Sequence, residues 1–263
     1  MSRGLITLIT DFGLSDHFVG VMKGVIKTIN PAVEIVDVCH DIPPHDIARA
    51  ALMLSDSYGY FPPDTIHVVV VDPGVGSTRE PVAVRAMEHV FVGPDNGVFT
   101  YIYEKAPEYR ACGIRNRELM LRDVSSTFHG RDIFSPVAAH ISKGLDLSEL
   151  GPEIKKVAKL EVQRPLRRGD EIVGRVSYID GFGNVVTNIP GEMIEGEARI
   201  EICGAVLVGV KSSYADVRRG EMLAIIGGSG YLEISANRAR ASDELRITDG
   251  ARSGVKVVVK LLK

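Results

Sequence analysis

The sequence contains no tryptophan, and aromatic residues make up only 6% of its 263 positions. Large flat surfaces for interfaces or base stacking are therefore scarce, so each Phe or Tyr near a loop carries weight. Cysteine is nearly absent too. Cys39, Cys112 and Cys203 are far apart, odd in number and form no CxxC pair. That excludes a zinc ribbon and a disulfide framework, and the expectation is three small buried hydrophobes in a reducing compartment. No apolar run approaches the roughly 20 residues of a membrane span, and Met1 to Ile9 lacks the layout of a signal peptide. The chain thus reads as cytoplasmic, with no membrane partner. Neither sign of charge dominates: 31 basic and 34 acidic side chains give a net charge of −3. A nucleic-acid partner would call for a basic face.

Familiar signatures are missing as well. There is no GxxxxGK[ST] phosphate loop and no GxGxxG after a strand. Asp11-Phe12-Gly13 spells the kinase metal triplet, but the stretch before it cannot hold the rest of a kinase site. What is present is an ordinary globular mixture, 45% hydrophobic and 25% charged, which excludes a disordered or fibrous chain. The length leaves open one domain or two.

Leu5–Thr10 reads as a strand, and Asp16 as the cap of a helix with Phe18, Val21, Met22, Val25, Ile26 and Ile29 on one face. Val33–Val38 reads as a second strand. A helix over about 46–58 follows, for which Asp46 fits as the cap. Ile66–Val71 is a β-branched run of the kind buried on both faces. This alternation predicts an α/β domain with a mostly parallel sheet. Further strand is expected over Val82–Val92, with helices over Val98–Lys105 and Arg131–Lys143. Beyond Glu153 the texture becomes charged, then alternates in short strands with glycine-rich turns. The strands are Glu171–Tyr178, Asn184–Ile189, Ala198–Val210, Met222–Ile226, Tyr231–Ser235 and Val255–Leu262. This predicts a smaller antiparallel β-barrel-like domain. The expected division is residues 1–158 and 168–263.

In an open parallel sheet, ligands bind at the C-terminal ends of the strands. Asp11 follows the first strand and Asp72 the third. Arg79 lies across the loop with Gly74 and Gly76, and His129 precedes a helix. Each alone is equally a turn former, a cap or a surface charge; convergence on one edge is what favours a site. Cys39-His40-Asp41 with His45-Asp46 offers no well-formed set of three or four ligands, so no metal is expected. In the second half, Phe182 sits on the Asp180–Asn184 turn, where an apolar ring has little structural reason to be. A ring held there can stack on a flat group.

These residues fall in ordered motifs: TDFGLSDHFVG (10–20), VVDPGVGSTR (70–79), GPDNG (93–97), FHGRD (128–132), DGFGN (180–184) and GSGYLEIS followed by AN (228–237). Together they resemble the S-adenosyl-L-methionine (SAM) hydroxide adenosyltransferases, the adenosine-forming SAM hydrolases related to SAM-dependent fluorinase and chlorinase. The resemblance implies hydrolysis of SAM to adenosine and L-methionine, with no cofactor besides the substrate. It also implies a homotrimer with SAM held between the N-domain of one subunit and the C-domain of its neighbour. It places Asp72, Arg79 and His129 in the catalytic set and Asp11 on the ribose hydroxyls. Phe182, Asn184, Asn237 and Ala239 fall around adenine, and Asp180 and Ser229 toward the methionine part. Gly230 stands where the halogenases carry arginine, and Asp72 where they carry tyrosine. A SAM-dependent halogenase, a non-catalytic adenosine or SAM sensor and a metal-dependent hydrolase are the rival readings.

Overall fold

The computed structural model describes residues 4–248, 250 and 254–262. The chain divides into two compact units between Glu161 and Val162.

The first unit grows from β-branched runs too apolar to face water. Strands β1 (Leu5–Thr10), β2 (Glu34–Cys39) and β3 (Ile66–Val70) pair in parallel, with β1 in the middle. Helix α1 (Phe18–Ile29) carries β1 to β2 and buries Val19, Met22 and Ile26. Asp16 does not cap it: the cap position is His17, in helical geometry and without a side-chain bond. Helix α2 (Ile47–Ser57) carries β2 to β3, and Asp46 caps it by accepting the Arg49 N–H.

The sheet then departs from the expected parallel plan. Val82–Val92 is not one strand but a hairpin, β4 (Pro81–Ala86) and β5 (His89–Pro94), turning at Met87 and Glu88. Both turn residues have positive φ, 48° and 64°. That is the geometry a two-residue hairpin needs, adopted here without the Gly or Asn that would announce it. β5 pairs in parallel with β3, whereas β4 is antiparallel to both β5 and β6 (Tyr109–Gly113). The order β2-β1-β3-β5-β4-β6 is a mixed sheet. Helix α3 spans only Thr100–Lys105. The helix expected from Arg131 opens with a π-helical turn, Gly130–Phe134, and continues as α4 (Ser135–Ile141).

The second unit is a curled sheet of nine strands, nearly closed into a barrel. Strands β7 (Leu166–Arg168), β8 (Glu171–Ile179) and β9 (Val185–Pro190) begin it. The expected strand Ala198–Val210 is three pieces: β10 (Ala198–Ile202), β11 (Ala205–Val208) and β12 (Val210–Lys211). Cys203, at φ 48°, and Gly204 turn the chain between the first two. Strands β13 (Met222–Ile226), β14 (Tyr231–Ala236) and β15 (Lys256–Leu261) complete the sheet, with a short helix α5 (Ala241–Glu244) before the last. All pairings are antiparallel except β12 with β13. Alternate positions of β8, β10 and β15 fill the interior with Ile172, Ile200, Val257 and Val259.

Only Cys112 of the three cysteines is fully buried. Cys39 is half-buried and Cys203 exposed, and all are free thiols.

Candidate active site

The parallel pairing of β1 with β3 sets Thr10 beside Val70, so the residues just beyond them emerge on one edge. Asp11 and Asp72 both line a cleft of about 320 Å³ there, with His129. Phe12, Phe18 and Phe128 wall it, their rings packed edge-on or tilted at centroid distances of 5.2–5.8 Å.

Arg79 grips Asp72 with two parallel contacts: Nε donates to Oδ1 at 3.0 Å and Nη2 donates to Oδ2. The two side chains are 9% and 5% exposed, so this is a buried, bidentate pair. The loop between them must lie flat on the chain before His129. Gly76 makes this possible: its φ is +75°, and a Cβ there would stand 2.4 Å from the Ser126 carbonyl.

His129 Nδ1 lies 2.6 Å from Arg79 Nη2. A guanidinium only donates, so Nδ1 is the acceptor and the ring proton sits on Nε2. Burial, then the Arg79 charge, pushes the His129 pKa below its ordinary value, which favours this neutral form. The guanidinium also stacks 5.4 Å above the Phe134 ring. Arg79 Nη1 is buried without a hydrogen-bond partner. Asp11 accepts the His45 backbone N–H at 2.9 Å through Oδ2.

In the second unit a cleft of about 430 Å³ is lined by Phe182, Asn184, Tyr214, Ala236, Arg238, Ala239 and Arg240. Phe182 is 80% exposed. Its turn is built by Asp180, whose Oδ1 accepts the N–H groups of Phe182 and Asn184 and whose Oδ2 accepts Asn184 Nδ2, all at 2.9 Å. Gly183 (φ +85°) lets Arg240 lie across the turn, and Arg240 donates to the Gly181 carbonyl at 3.0 Å. Asn237 donates its amide to the Val217 carbonyl, and Ser229 is exposed on the β13–β14 turn. Asp180, Asn237 and Ser229 are thus outside the lining of this cleft. Tyr214, Arg238 and Arg240 line it without having been singled out in the sequence. So do Phe12, Phe18 and Phe128 in the first cleft; all three stand inside quoted motifs, where a ring near a strand end or beside His129 was the available signal. His45, weighed only as a metal ligand, also lines the first cleft. Among the described residues no group of three or more His, Cys, Asp or Glu is placed to hold a metal ion, and no helix is long and apolar enough to cross a membrane.

Two domains of one kind account for most of the chain. Residues 6–151 match the SAM hydroxide adenosyltransferase N-terminal domain and residues 174–253 the corresponding C-terminal domain. The chain belongs to the SAM hydroxide adenosyltransferase family. It is 37% identical over 253 residues to an (R)-S-adenosyl-L-methionine hydrolase of Salinispora tropica, covering 94% of this chain and 95% of that protein. A protein of the same name from Thermus thermophilus is 34% identical over 249 residues, 92% of this chain and 95% of its own length. A fluorinase of Nocardia brasiliensis is more distant, 25% identical over 98% of this chain and 97% of that one. The crystal structure of an uncharacterized conserved protein from Thermotoga maritima superposes with a TM-score of 0.90 at 36% identity, covering 97% of this chain and 99% of that one.

Proposed function

We propose that this protein hydrolyses S-adenosyl-L-methionine to adenosine and L-methionine. The observation that carries the reading is the Asp72–Arg79–His129 set, whose Asp72 and His129 line the first cleft, in a chain 34–37% identical to relatives that bear the name of that activity.

The substrate brings its own leaving group. Water oxygen attacks ribose C5′ in line with the C5′–S bond. That bond's electron pair passes to sulfur, and methionine departs as a neutral thioether. One water proton must go to a base. His129 Nδ1 is engaged by Arg79, so Asp72 is the acceptor in this reading. Each carboxylate oxygen has a second lone pair beyond the one Arg79 occupies. His129, neutral, holds the guanidinium in place. Asp11 receives the ribose hydroxyls and fixes C5′ against the water, which supplies the positional advantage. Phe182 stacks on adenine, with Asn184 and Ala239 beside it. Asp180 and Ser229 serve the methionine side and Asn237 the adenine side, Asp180 and Asn237 through the backbone they tie. A carboxylate at the attack position disfavours a halide anion by charge, so halogenation is the lesser reading. The same proposal includes a cytoplasmic homotrimer in which one copy's first unit and another copy's second unit share a substrate, with no further cofactor.

Incubating the purified protein with each sulfonium epimer of SAM, with and without chloride or fluoride, tests this. Adenosine and methionine in equal amounts are expected, with no 5′-halo nucleoside. Tight nucleoside binding without turnover would establish a sensor, and loss of turnover on chelation a metal-dependent enzyme.

A further inference from the structure

Behind the Asp11 turn lies a line of polar side chains that the chemistry above does not use. The Thr10 hydroxyl, fully buried at the end of β1, is 2.8 Å from His40 Nδ1. His40 is 4% exposed, and its Nε2 stands 3.0 Å from Asp37 Oδ1, within ion-pairing range though off the line of a straight hydrogen bond. Lys23 on α1 reaches Asp37 Oδ2 at 2.5 Å. Burial raises the Asp37 pKa, but hydrogen bonds from Lys23 and His40 outweigh it and hold the carboxyl below its ordinary range.

The order Thr, His, Asp is that of a nucleophile, its base and an orienting acid. Thr10 has no exposed surface, so substrate cannot reach its hydroxyl. The line instead ends on the turn that carries Asp11. Thr10 Oγ1 accepts the Phe12 N–H at 3.3 Å, and the His40 carbonyl accepts the Gly13 N–H at 2.8 Å. His40 therefore holds the chain on both sides of Asp11, through its ring before it and through its backbone after it. The buried end of the line, the bond between Thr10 and His40, favours one conformation of this turn.

We propose that His40 is a positioning residue for the reaction: the Lys23–Asp37–His40–Thr10 line fixes the Asp11 turn so that its carboxylate meets the ribose 2′- and 3′-hydroxyls. The proposal rests on the reading of Asp11 given above. A histidine suits the place because one rigid ring offers an acceptor to Thr10 at Nδ1 and a donor to Asp37 at Nε2.

The test measures binding of adenosine and of 2′,3′-dideoxyadenosine to the full-length protein by calorimetry. The variants are Thr10→Val, His40→Ala, His40→Asn and Asp11→Asn. Thr10→Val and His40→Ala are expected to lower the preference for adenosine about tenfold, the size of one hydrogen bond to a charged group. Dideoxyadenosine affinity should stay within about twofold, since that ligand has no hydroxyls to lose. His40→Asn, whose amide oxygen replaces Nδ1 as acceptor, should regain most of the preference. Equal weakening of both nucleosides by Thr10→Val would reduce the line to a support of the fold and overturn the proposal, as would no change in either. Should His40→Ala not fold, Thr10→Val, which removes a single hydroxyl, decides alone. If Asp11→Asn abolishes the preference and Thr10→Val does not, the Asp11 reading stands and the positioning line falls. If Asp11→Asn leaves the preference intact, both fall together.

Discussion

The two clefts are built by opposite means. In the first unit, the polar groups are locked by buried charge: Asp72 and Arg79, from the two ends of the β3–β4 loop, meet His129 from a distant segment under cover. In the second unit the displayed ring and its neighbour are local. One turn, organised by Asp180, displays Phe182 to solvent and tucks Asn184 beside it. A charge network that excludes water suits bond making, where a small displacement is costly. A displayed ring suits recognition, which tolerates adjustment. The proposed division into a reacting side and a recognising side follows from this contrast.

Substitutions should separate the two sides. Asp72→Asn keeps the shape but removes the base, and kcat is expected to fall about a thousandfold or more, roughly 4 kcal/mol. Arg79→Met should fall as far, because it leaves Asp72 a buried and unpaired charge. Adenosine affinity in either variant should change little, as titration calorimetry would read. His129→Asn retains an acceptor for Arg79 and should lose less than Asp72→Asn; the reverse order would make His129 the base. Phe182→Ala should instead raise KM about tenfold with kcat nearly kept, the worth of one stacked base. A large fall in kcat there would erase the contrast between the sides. Co-expression of Asp72→Asn with Phe182→Ala chains sharpens it further. If three copies share their sites as proposed, random assembly leaves about one site in four with both sides intact, so mixed protein should show a component of turnover at the unaltered KM, which neither variant alone has. Tagged purification of the mixed species and its substrate-saturation curve provide the check; turnover at the raised KM alone would argue for sites within single chains.

The same contrast governs what could be read from the sequence. β1, β3 and their terminal aspartates were legible because β-branched runs bounded by polar turns can hardly be anything else. The β4–β5 hairpin was not, because Met87 and Glu88 take left-handed backbone that their side chains give no sign of. That one turn made a parallel plan of a mixed sheet. Ala198–Val210 failed in the same way at Cys203. In the candidate site, Phe182 stood out as an apolar residue where none was needed, and it is displayed as that reasoning requires. Asp180 looked like a ligand-side group, yet its three bonds turn inward to its own loop. Sequence spacing cannot tell a carboxylate that serves a ligand from one that serves a turn. His40 was hidden for a related reason: its partners Thr10 and Asp37 lie on neighbouring parallel strands, a proximity created only by register.

The smallest predicted effect concerns stability and again divides the molecule. All seven histidines lie in the first unit, and the second has none. His67 on β3 is 1% exposed, bonded to Thr7 at 2.7 Å and 3.3 Å from His89. Burial, with the His89 charge adding to it, lowers its pKa from 6.5 to about 3. Burial lowers the His89 pKa as well, against the opposing charges of Glu88 and Asp64. A folded-state value below the unfolded one means that the unfolded chain binds the extra proton. Stability is therefore full above the ordinary histidine value and is lost as pH falls below it. For His67 alone the loss between pH 6.5 and pH 5.5 is about 1 kcal/mol. Hydrogen exchange at the two pH values, corrected for its intrinsic rate, should show β1, β3 and β5 losing protection while β8, β9 and β14 keep theirs. His67→Gln should flatten the dependence in the first unit. Equal loss in both units would assign acid sensitivity to carboxylates common to them, and the histidine-lined sheet would no longer distinguish the unit that carries the reacting groups.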